Sequence, residues 1–158
     1  MGGKSSLEKG KNGEREVVKL LQPIVNRVCQ EFEECDVARL QRNTLQSDNG
    51  GFDIVGIDWL ALEVKRQEQL NISSWWMQTL AQTKTGQHPV LFFRQSRQQW
   101  RVMTLVHLRL DECSAPLQVR GEITLEAFLQ FFERKLMAEL WNKGYVLRPQ
   151  AQKRPSAR

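Results

Sequence analysis

Apolar residues early in the chain recur at helical spacing. Val17, Val18, Leu21, Ile24, Val25 and Val28 fall on one stripe, which predicts a helix over residues 6–28. Glu14 precedes Val17 and Val18 by three and four positions, so it projects from the edge of the buried stripe and not from the solvent side. Pro23 predicts a kink or a split last turn. After an acidic connection, residues 37–40 are expected as a short strand, and residues 41–51, rich in Asn, Ser, Asp and Gly, as a loop. The period then changes to alternation over residues 52–55 and 60–65, two strands of a hairpin. In the second, Leu60, Leu62 and Val64 point one way while Ala61, Glu63 and Lys65 point the other. Ser73 or Ser74 is expected to cap a helix through Trp75, Trp76, Leu80 and Ala81 that ends near Gly86. Residues 89–94 and 100–105 form two more strands around a polar turn at 95–99. Thr124 then caps an amphipathic helix through Leu125, Phe128, Leu129, Phe132, Leu136 and Leu140, stopped at Gly144. This order predicts an α/β sandwich with a mixed central sheet flanked by helices.

A length of 158 residues with 41% hydrophobic content suits one core. The expected division is a single domain over residues 1–144 and a basic, flexible tail over 145–158. No apolar run is long enough for a membrane span and the start lacks a secretory pattern, so the expected location is the cytoplasm. Cys29, Cys35 and Cys113 form neither a CxxC pair nor an even set, and are expected as reduced, structural thiols. His88 and His107 stand outside any metal spacing. The net charge of +5 gains meaning from its distribution. No Asp or Glu occurs between Gln69 and Leu110, where Lys84, Arg94, Arg97, Arg101 and Arg109 lie, and residues 143–158 are likewise basic and acid-free. One such run is usually a solvated face; two in a short chain make phosphate contact an even alternative.

The chemistry-bearing string is Gly51-Phe52-Asp53-Ile54-Val55, followed by Leu62-Glu63-Val64-Lys65. Two carboxylates on adjacent strands can hold a hard divalent ion through oxygen. A lysine two residues on, sharing the glutamate's face, can orient an attacking water and stabilise developing charge. Glu14 is available as an outer ligand. Taken singly, each piece has an ordinary reading: a solvated sheet face for Glu63 and Lys65, a turn residue for Asp53, helix-surface charge for Glu14. Their occurrence together and in this order is what points to a site.

With Gly10-Lys11-Asn12-Gly13-Glu14-Arg15-Glu16, Arg42, Ser47 and the Asp-x(9)-Glu-x-Lys spacing from Asp53 to Lys65, the chain resembles the PD-(D/E)XK nucleases over roughly residues 10–105. Within them it is similar to archaeal-type Holliday junction resolvases and phage proteins of that kind. The resemblance implies a restriction-endonuclease-like fold and a Mg²⁺-dependent homodimer, with Mn²⁺ as substitute, that cuts branched DNA, acts on no small molecule and works in the host cytoplasm if phage-encoded. It further implies Glu14, Asp53, Glu63 and Lys65 as the catalytic set, the three carboxylates as metal ligands, and Arg15, Arg42, Ser47, Gln78 and Lys84 as substrate-binding residues. Gln82 is second choice to Gln78 for the polar residue from the middle helix. Phe52 stands where the motif has proline, a departure that removes no reacting group. The alternatives are another DNA nuclease of this superfamily, nicking or restriction-type, and a DNA-binding module without chemistry. Trp75 and Trp76 admit a base-stacking reading, with core packing favoured for at least one. Phe128, Phe131 and Phe132 are expected in the core or a dimer seam.

Overall fold

A computed structural model describes residues 3–37, 39–44, 51–109 and 111–149. Helix α1 (Gly3–Gln30) leads into strands β1 (Gln41–Arg42), β2 (Ile54–Val55) and β3 (Leu60–Arg66). Helix α2 (Ile72–Gln82) crosses to β4 (His88–Arg94); β5 (Arg101–Leu108), β6 (Leu117–Ile123) and α3 (Leu125–Asn142) complete the order. The six strands form one sheet in chain order. Only β3 and β4 pair in parallel among the described strands, because only they are joined by a crossover helix. The expected α/β sandwich with a mixed central sheet is what the structure shows.

Two apolar clusters divide the sheet's faces. Leu62, Val64, Val90, Phe92 and Val102 pack with Val17, Leu21 and Val28 of α1 and Phe128, Phe132 and Leu136 of α3. Leu91, Phe93 and Met103 point the other way, under Trp75 and Trp76 of α2. Strand β3 is therefore covered on both faces. Its alternation separates two buried layers, not a buried from a wet one, and Glu63 is fully buried.

Several boundaries differ from the expectation. Helix α1 continues through Pro23 without splitting, since Pro23 and Lys19, whose carbonyl loses its partner, are both exposed and water can satisfy the bond. The first strand is Gln41–Arg42, inside the segment expected as a loop, and not residues 37–40: pairing with Val55 and Ile54 sets its place, while the backbone N–H of Leu40 donates to Gln22 Oε1 at 2.9 Å. Neither Ser73 nor Ser74 caps α2; Asn71 occupies that position without a side-chain hydrogen bond, and the helix ends at Gln82, ahead of the turn holding Gly86. Thr124 does cap α3, accepting from the N–H of Ala127 at 3.1 Å.

Strand β6 was not expected at all. It is a half-exposed edge whose alternation of Leu117, Val119 and Ile123 passes through Gly121, and a Cβ at Gly121 would stand 2.5 Å from Val106 Cγ2 of the facing strand. Glycine is needed there for close approach, and it breaks the apolar pattern that signals a strand. At the other end, the chain beyond α3 docks: the N–H of Glu33 donates to Val146 O and that of Arg148 to Glu31 O, both at 2.8 Å, and Leu147 bridges to Phe32. Residues 145–149 of the expected tail are thus held against the end of α1. Residues 150–158 lie outside the described residues.

Candidate active site

The register that pairs Ile54 with Leu62 places Asp53, one residue earlier, across from Glu63. Ile54 and Leu62 enter the main core, so Asp53 and Glu63 share the opposite face. Asp53 is fixed by its Oδ2, which accepts the backbone N–H of Val64 at 2.7 Å, and by its carbonyl, which accepts the N–H of Asn43 at 2.8 Å. Both carboxylates are buried, Glu63 entirely and Asp53 at 6% exposure.

Glu63 is hydrogen-bonded on one side only. Lys65 Nζ lies 2.6 Å from its Oε1, and Gln78 Nε2 of α2 donates to that same oxygen at 3.1 Å. Oε2 is buried and has no hydrogen-bond partner among the described residues. Burial pushes the Glu63 carboxyl from the ordinary 4.5 up to about 7; the charge of Asp53 adds to this, Lys65 opposes it, and Glu14 adds a smaller push.

Glu14 comes from α1 and is held by Arg42, whose Nε donates to Glu14 Oε2 at 2.5 Å. Its carboxyl is also raised, by burial first and further by Asp53, against the hydrogen bond from Arg42. Gly13 permits this approach, because an ideal Cβ there would lie 3.3 Å from Trp100 and 3.5 Å from Val64. Three carboxylates therefore feel one another's charge. They do not converge on one point: no group of three or more His, Cys, Asp or Glu among the described residues is placed to hold a metal ion. The chemistry of the donors still suits a hard cation, since a buried Asp–Glu pair with an unpartnered carboxylate oxygen offers oxygen ligands, and Mg²⁺ commonly takes one or two carboxylates and otherwise water and phosphate.

Of the residues expected at the site, Glu14, Asp53, Glu63, Lys65, Arg42 and Gln78 are brought together by these bonds and fields. Arg42 meets Glu14, and Gln78 rather than Gln82 reaches Glu63. Arg15 is turned toward Glu8 and Asn12 and acts on Glu14 only through space. Lys84 is an exposed cation in the turn after α2. Ser47 lies outside the described residues. Trp75 and Trp76 are both buried on the sheet, which removes the stacking reading for either.

Sequence reasoning missed a neighbouring group. Glu16 receives Arg66 at 3.0 Å and Arg94 at 2.5 Å, the two arginines being aligned across the parallel β3–β4 pair, and Arg94 also lies over Trp100. This cluster ties α1 to the strand ends just past Lys65. Glu16 closes the quoted Gly10–Glu16 segment and Arg66 directly follows Lys65, which was the available signal.

The model of a family described as "Phage putative PDDEXK endonuclease" matches residues 5–124. The chain belongs to that phage PD-(D/E)XK endonuclease family, and so to a class of nucleases. The solved structure of Hjc from Archaeoglobus fulgidus, a Holliday junction resolvase, is similar over 75% of this chain and 97% of that one, at 14% identity and a TM-score of 0.41. Comparison with curated proteins gives no match. No helix among the described residues is long and apolar enough to cross a membrane.

Proposed function

We propose that the chain is a Mg²⁺-dependent, structure-selective DNA endonuclease that resolves four-way junctions as a homodimer, with one centre per subunit. The observation that carries the metal-dependent part is the one-sided bonding of Glu63, whose Oε2 is buried and unpartnered beside Asp53. A cation at Oε2 would add to the charge that Lys65 supplies at Oε1, and would further offset the mutual rise in proton affinity of two buried carboxylates. Asp53 and Glu63 would hold Mg²⁺, or Mn²⁺ in its place, with Glu14 as an outer ligand. When held there, the ion would supply Lewis-acid neutralisation of charge at the scissile phosphate.

The remaining steps belong to the chain's own groups. Lys65, drawn to Glu63 in this structure, can turn its ammonium to the attacking water or to a phosphate oxygen, whose charge grows in the transition state. Gln78 keeps Glu63 in one orientation, and Arg42 keeps Glu14 at the edge of the site. Arg15, Lys84 and Ser47 are proposed contacts to the DNA backbone. The choice of branched DNA rests on the motif resemblance from Gly10 to Lys65.

Labelled four-way, three-way and linear duplexes, incubated with and without Mg²⁺, test the reading. The expected outcome is paired nicks in the four-way junction, dependent on the metal. Equal rates on linear duplex would remove the resolvase assignment and leave a general nuclease of the family. Asp53→Ala and Glu63→Ala should each lower cleavage by about 10³-fold or more while retaining junction binding. Cleavage unchanged in both would place the centre elsewhere.

A further inference from the structure

Cys29 lies in the last turn of α1 and Cys35 in the segment leading to β1, with their Sγ atoms 2.7 Å apart. A disulfide bond is about 2.0 Å, so closure needs a sulfur movement below ~1 Å. The loop between them is held from several sides. Phe32 is buried in the main core and its N–H donates to Cys29 O, while its carbonyl accepts from Arg148 Nε. Glu34 has a φ of 48°, a left-handed turn that sends the chain back toward α1, and Tyr145 is hydrogen-bonded to Asp36 just beyond Cys35. Both thiols are half-buried and so remain open to a small reagent.

We propose that Cys29 and Cys35 form an oxidisable pair that closes to an intramolecular disulfide with a small disulfide oxidant, stapling the end of α1 to the segment before β1. Cys35 attacks one sulfur of the oxidant, giving a mixed disulfide and releasing one thiol. Cys29 then attacks the Cys35 sulfur and releases the second. The protein loses two electrons and two thiol protons; the oxidant gains both and becomes two thiols. Cys35 goes first because burial, and then contact with Cys35 itself, push the Cys29 thiol up to about 12, and the second of these causes is relieved once Cys35 is capped. The inference does not depend on the nuclease reading.

Oxidised glutathione is the test reagent, applied to the native chain and in parallel to the urea-unfolded chain, followed by acid quench and alkylation. Cleavage after Arg27 and Arg39 releases both cysteines on one peptide, separate from Cys113. In the native chain that peptide should lose two hydrogen atoms and resist alkylation while Cys113 stays alkylatable. Its equilibrium against glutathione should favour closure at least ~10-fold more than in the unfolded chain, because the fold raises the thiols' effective concentration. Cys35→Ser should abolish the closed form and leave Cys29 free or capped by glutathione. Three alkylatable thiols, separate glutathione adducts on Cys29 and Cys35, or an equilibrium equal to that of the unfolded chain would each overturn the proposal.

Discussion

Arg42 and Glu14 join the first strand to the first helix through one hydrogen bond, Nε to Oε2 at 2.5 Å, with the two side chains only 22% and 14% exposed. Removing the cation leaves a largely buried carboxylate beside Asp53 with no donor from that strand. Arg42→Ala is expected to cost about 1–2 kcal/mol in urea unfolding, below the range for a fully buried pair. Junction cleavage should fall by about ten- to a hundredfold as Glu14 loses its orientation. Arg42→Lys, which offers a charge without the guanidinium geometry, should recover stability more than rate.

Glu63 gives the folded chain a pH dependence of definite sign. Its carboxyl sits at about 7 when folded against the ordinary 4.5, so between those values the folded state binds the extra proton. Stability therefore falls as pH rises from 4.5 to about 7 and the full cost, on the order of 3 kcal/mol, stands above that window. If Glu63 holds Mg²⁺ as proposed, its ionised form is the ligand, and thermal denaturation should show a larger Mg²⁺-induced rise at about pH 8 than at about pH 5. Glu63→Gln should flatten the slope and abolish the Mg²⁺ shift; an undiminished shift in that variant would remove Glu63 from the metal site.

Trp75 and Trp76 act on the fold. With Leu91, Phe93 and Met103 beneath them, Trp76→Ala should lose about 3–5 kcal/mol of stability. Trp76→Phe should lose less and bind junction DNA with wild-type affinity. A binding loss in Trp76→Phe without a stability loss would restore the stacking role.

Gly13 sets the distance between α1 and β3. Ala at this position would press on Trp100 at 3.3 Å and meet Arg66 Cβ at 3.4 Å and Val64 at 3.5 Å, so Trp100 must give by a few tenths of an ångström, whereas the added methyls of Val would crowd these neighbours further. Gly13→Val is expected to destabilise by about 1–3 kcal/mol and to lower cleavage more than Gly13→Ala, by displacing Glu14. Chemical denaturation and cleavage rates on the two variants check this.

The parts legible in the sequence are those fixed by a local period. The apolar stripe of α1, the Glu63–Lys65 face and the Thr124 cap needed only neighbours along the chain, and the motif spacing marked Asp53. What escaped depends on partners far away. Strand β1 is placed by pairing with β2 and by Gln22, and Arg42 finds Glu14 only once that pairing exists. Edge strand β6 shows a weak alternation because Val106 demands a glycine in its middle. The approach of Cys29 to Cys35 turns on a left-handed Glu34, a conformation that glutamate does not advertise.

The crossover through α2 bears on the order in which the molecule gains its activity during synthesis. Glu14, Asp53, Glu63 and Lys65 have all emerged by the end of β3, yet Glu63 is enclosed only when β4 pairs alongside and Gln78 closes from the crossover. Parallel pairing of this kind awaits a non-local contact, which is slow compared with forming a helix or a hairpin. A nascent chain thus carries the proposed catalytic residues before their enclosure is complete, and hydrolytic competence should appear together with protection of the β4 amides in pulse-labelled refolding. For an enzyme that cuts DNA, late assembly confines cutting to the finished molecule.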